Sequence, residues 1–120
     1  MKRNEWEFYF TSTKVVEAAT RQIDYHSQRV AHWEAELNAA EEALRGSVDF
    51  REHDVTGGKN ISVVVDPEKQ SWLNTCRTKL SGHRAKVAEY SRWRALLGTG
   101  SFTLALDSAD YEYFFATPEE

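Results

Sequence analysis

The sequence has one cysteine, one methionine and two prolines in 120 residues, and it lacks any long apolar run. A lone thiol, Cys76, excludes an internal disulfide and cannot build a thiolate zinc site alone. It fits a reducing compartment, so the expected location is cytoplasmic. No stretch approaches the ~18–20 apolar residues that cross a bilayer. The opening MKRNEWEFYF has no apolar centre of the kind a secretory signal needs. An excess of positive charge is missing too. Fifteen Lys and Arg stand against nineteen Asp and Glu, for a net charge of -4. That balance disfavours a generally basic nucleic-acid or membrane binder. The length suits a single domain over residues 1–120.

Heptad spacing is what the sequence does have. Val16, Ile23, Val30, Leu37 and Leu44 recur every seventh residue, with Ala19, His26, Trp33 and Ala40 at the matching d positions. This predicts a helix over about 13–45, capped by Ser12 or Thr13 and released at Gly46. Asp66-Pro67-Glu68 is a helix-start signal. It opens a second helix over about 67–97, ended by Gly98, with Gly82 as an internal weak point. Its seam is Leu73, Leu80, Val87 and Arg94 at a, and Cys76, His83, Tyr90 and Leu97 at d. The narrow stripes and equal lengths predict an antiparallel two-helix coiled-coil hairpin.

Between the helices, VDFREHDV and NISVVVD flank Thr56-Gly57-Gly58-Lys59. This predicts an inserted β-hairpin over about 48–65, with the glycines at the turn. Alternation of Trp6, Phe8 and Phe10, and of Phe102, Leu104 and Leu106, predicts short terminal strands at about 5–10 and 102–106. They meet and pair if the helices are antiparallel. The segment 107–115 reads as a short helix capped by Asp107 or Ser108, with a returning strand as the alternative. The fold class is therefore α+β.

The order helix, β-hairpin, helix over about 13–97 resembles the β-type prefoldin subunit in outline. The resemblance is topological and carried by no motif. Strands outside both helices and four tryptophans depart from that pattern, so no chaperone role is transferred.

Two helix alignments place a against d. In a flush alignment Val30 faces His83 and Ile23 faces Tyr90. In one shifted by a heptad, Leu37 faces His83 and Val30 faces Tyr90. Exposed charge pairs contribute only ~0.3–0.5 kcal/mol each and do not decide between them.

Neither alignment brings His26 and His83 into one layer, so they read as separate satisfied seam histidines rather than a metal or acid–base pair. No HExxH, GxSxG, GxGxxG or phosphate loop occurs. TGGK lies between strands rather than before a helix, and so reads as a turn. Asn60-Ile61-Ser62 matches a glycosylation sequon without other signs of secretion. Asp49, Glu52, Asp54 and Asp66 read as a solvated hairpin face. No catalytic, cofactor or metal residue is predicted.

Charge is segregated instead. Residues 73–100 carry Arg77, Lys79, Arg84, Lys86, Arg92 and Arg94 against Glu89 alone, while residues 101–120 carry five acids and no base. Most of these cations flank the seam opposite an acidic first helix; Arg92 and Arg94 have fewer partners. Trp72 and Trp93 fall at g, beside the seam, among more aromatics than two helices bury. The expected macromolecule-binding residues are Arg92, Arg94, Trp93, Trp72, Arg84 and Lys86. The expected role is a non-enzymatic interaction protein binding a protein partner or forming a homodimer. Nucleic-acid binding through the basic helix is the alternative, and no membrane partner is expected.

Overall fold

The computed structural model describes residues 7–47, 49–55 and 58–118, with side chains described for 7–46 and 65–118. The order is β1 (Glu7–Thr11), α1 (Ser12–Ser47), β2 (Asp49–Val55), β3 (Gly58–Val64), α2 (Pro67–Leu97), β4 (Thr103–Asp107) and α3 (Ser108–Phe115). The two long helices pack antiparallel. Contacts divide the chain into two units, residues 1–30 with 82–120 and residues 31–81.

Helix ends follow from side chains that satisfy free backbone amides. Thr11 Oγ1 accepts from the Lys14 N–H at 3.2 Å, so the first cap is Thr11 and not Ser12 or Thr13. Ser12 has another task. Its buried hydroxyl donates to the Gly100 carbonyl and accepts from the Phe102 N–H, both at 3.1 Å, and its own N–H donates to the Phe102 carbonyl. Gly46 lies within α1 rather than at a left-handed exit. Asp66 Oδ1 accepts from the Glu68 and Lys69 amides and opens α2 as expected. Helix α2 runs through Gly82 and stops at Leu97. Gly98 then donates its N–H to the Arg94 carbonyl, where an added Cβ would come within 3.0 Å of that oxygen.

In the unit containing the chain termini, β1 and β4 pair antiparallel from Glu7↔Asp107 to Thr11↔Thr103. The expected terminal strands form, with β1 running one residue further, to Thr11, and β4 shifted by one residue, so that Phe102 lies just outside its strand. Trp6 lies outside the described residues. Asp107 caps α3 by accepting from the Asp110 N–H at 2.8 Å, so 107–115 is helix and not strand. Phe10 stacks on Tyr111 and Phe115, fixing the sheet to α3. Val15, Ala18, Ala19, Ile23, Tyr90, Leu97, Leu106 and Phe114 form the core. Val15, Ala18 and Gln22 lie off the predicted seam yet are buried. The stripe is broader here than its heptad, because α1 packs against more than α2.

Ile23 and Tyr90 share this core, and His26 stacks on Tyr90 at 6.0 Å. The alignment is therefore the flush one. A heptad shift would move Tyr90 about 10 Å along α1, at 1.5 Å per residue.

In the unit of residues 31–81, β2 and β3 pair antiparallel from Asp49↔Val64 to Val55↔Gly58. Gly58 already belongs to a strand, and the turn at Thr56 and Gly57 lies outside the described residues. So do the side chains of Asp49, Glu52, Asp54 and Asn60. Trp33, Ala40, Leu73, Cys76 and Leu80 are buried. Among the described residues, no helix is long and apolar enough to cross a membrane.

Candidate functional site

The side chains with chemical capacity gather where α3 meets α1 and α2. A helix ends with carbonyls that have no partner within it. For α3 the partners come from the long helices. Tyr90 Oη donates to the Tyr113 carbonyl at 2.6 Å. Gln22 Nε2 donates to the carbonyls of Phe114 and Ala116 at 3.2 and 3.0 Å. Tyr113 in turn donates its hydroxyl to Glu89 Oε1 at 2.7 Å. Lys86 Nζ lies 3.7 Å from the same carboxylate oxygen and 5.5 Å from the Tyr113 ring centroid. Burial, then the hydrogen bond to Glu89, pushes the Tyr113 phenol well above its ordinary value. Burial, then the Glu89 charge, raises Tyr90.

One turn from Gln22, His26 Nδ1 and His83 Nδ1 are 2.8 Å apart, with the residues only 5% and 6% exposed. This corrects the expectation that the two histidines occupy separate layers. In the flush alignment they are offset by a single turn, about 5.4 Å, a step that two facing imidazoles bridge. One ring donates its Nδ1–H and the other accepts, so the two carry different tautomers or share an added proton. Burial foremost, then the charges of His83 and Lys86, lowers the His26 pKa, with Glu89 opposing. The pair accepts one proton far more readily than two, since double protonation sets N–H against N–H. Among the described residues no group of three His, Cys, Asp or Glu could hold a metal ion.

Two concavities border this cluster. A cleft of about 440 Å³ is lined by Gln22, His26, Lys86, Tyr90, Glu112 and Tyr113, among others. An apolar groove of about 490 Å³ runs between α2, β4 and α3. Its walls include Trp93, Leu97, Leu104, Leu106 and Phe114, with Glu89 and Asp110 as its charged lining residues.

Of the residues expected from sequence, Lys86 and Trp93 reach this region. Lys86 covers Tyr113, and Trp93 meets Phe114 edge to face at 6.1 Å. Arg92 lies near enough to temper the rise of the Tyr113 pKa. Arg94 is exposed on α2 and engages through its backbone carbonyl at the helix end. Arg84 is exposed on α2 and has interaction partners. Trp72 belongs to the other unit, where it packs 5.9 Å from Trp33. Sequence reasoning missed Gln22, Glu89, Tyr90 and Tyr113. The available signal was the aromatic run in DYEYFF, too dense for an exposed short helix.

Compared with protein-family models, curated proteins and solved structures, the chain finds no match.

Proposed function

We propose that the chain is a non-enzymatic interaction protein that binds a protein partner, with a coiled-coil hairpin as its frame. The observation that carries this reading is the pair Trp93 and Leu96, 42% and 55% exposed. Residues three apart share one helix face, and a large aromatic beside a leucine on such a face is the composition of interface cores. Phe102, also exposed, follows the same helix end. A cytoplasmic setting belongs to the proposal on the strength of the single reduced Cys76.

A photo-crosslinking amino acid at Leu96, used in extracts of the native host, tests the reading. The expected product is a specific protein adduct that disappears with Trp93→Ala. Self-crosslinking matched by a dimer in sedimentation makes the partner a second copy, which the reading includes. Nucleic acid as the adduct, with affinity falling steeply with salt and weakened by Arg92→Ala or Arg94→Ala, replaces the reading with the alternative. Absence of any adduct removes it.

A further inference from the structure

We infer that the outer edge of β4, with the groove beside it, receives an extended basic segment of a partner protein as a third strand. This rests on the interaction reading above and specifies its partner. β1 occupies one side of β4, and among the described residues the sheet has these two strands. The groove is lined by three consecutive β4 residues, Leu104, Ala105 and Leu106, and by no residue of β1. Consecutive residues point to opposite faces of a strand, so the groove follows β4 along its free edge. Among the described residues, no strand but β1 is hydrogen-bonded to β4.

Exposed edges are usually blunted by lysine, proline or a bulge. TLALD has neither residue, and its register runs without interruption. Alternate amides and carbonyls of β4 are thus presented for pairing, beside an apolar trough that takes every second side chain of an added strand. Charge sets the class of that strand. The groove lining carries Glu89 and Asp110 and no lysine or arginine. Glu89 is met by Lys86 and Tyr113, which leaves Asp110 as the sharper determinant. Arg92 stands on the α2 side near Tyr113, so the unmatched negative charge lies on the α3 side of the groove, at Asp110. At the Asp110 end of the groove an acidic side chain is therefore repelled where a basic one is drawn in.

A labelled peptide of alternating valine and lysine, long enough to match the five residues of β4, provides the test by fluorescence anisotropy. The expected result is saturable binding, weakened about tenfold or more by Trp93→Ala and by Asp110→Lys. Both variants are checked for native helicity by circular dichroism. Amide exchange within Thr103–Asp107 slows when the peptide binds. A valine–glutamate peptide, or the basic peptide N-methylated on alternate backbone nitrogens, binds at least about tenfold more weakly. Equal binding by either control overturns the proposal, as does indifference to both substitutions. If the basic peptide fails while Leu96 still crosslinks a protein, strand addition is wrong and the interaction reading stands. If both fail, both fall.

Discussion

Tyr90→Phe removes a hydroxyl whose loss leaves the Tyr113 carbonyl without its donor at the end of α3. The expected cost is about 1–2 kcal/mol, seen as a lower urea midpoint with an unchanged slope. Gln22→Leu leaves the carbonyls of Phe114 and Ala116 in the same condition. Because both side chains hold one short helix, the double variant costs less than the sum. The histidines make a second residue-scale prediction. Between its lowered folded pKa and the ordinary 6.5, His26 holds fewer protons in the folded chain than in the unfolded one. Stability therefore rises with pH across that window. The groups around His26 are His83, Lys86, Glu89 and Tyr90 from α2 and Tyr25 from its own helix, with Glu112 and Tyr113 of α3 lining the same cleft. Denaturation at pH 5 is expected at lower urea than at pH 7.5, and His26→Gln flattens the difference.

At the scale of elements, Gly82 is exposed within α2, and an added Cβ meets no atom within 4 Å. Gly82→Ala should stabilise the protein by about 0.5–1 kcal/mol, raising the thermal midpoint. Asp66→Ala should destabilise the protein by about 1 kcal/mol through loss of the α2 cap, lowering that midpoint. Both long helices were legible because a heptad and a capping signal are local: Leu73, Cys76, Leu80, His83, Tyr90 and Leu97 are all buried where the spacing placed them. The cap at Thr11 was not legible, because choosing among Thr11, Ser12 and Thr13 depends on Ser12 being recruited by Gly100 and Phe102, 88 and 90 residues away. The His26–His83 contact was hidden by a related cause. Spacing orders residues along one helix, but the offset between two helices is set by packing, here of Ile23 and Tyr90 in the core beside α3. Trp72 and Trp93 share a heptad position, yet one packs on Trp33 and the other on Phe114. Sequence pattern alone could not part them.

For the whole molecule, β1 supplies the sole strand partner of β4 among the described residues, and its Phe8 and Phe10 rings lie against Tyr111. A chain starting at Ser12 loses that pairing, those ring contacts and the Thr11 cap together. Its thermal midpoint should fall by about 10 °C or more, with near-ultraviolet dichroism reporting the loosened aromatics.

Cys76 has its side chain fully enclosed, and burial ahead of the Glu36 charge holds the thiol in its unreactive protonated form. Since it is the only cysteine, the protein contains its own stopwatch. A thiol reagent added to the native protein consumes it only in moments when the enclosing side chains part. The labelling half-time therefore reads, at a single sulfur and without any engineered probe, how often the middle of the chain breathes.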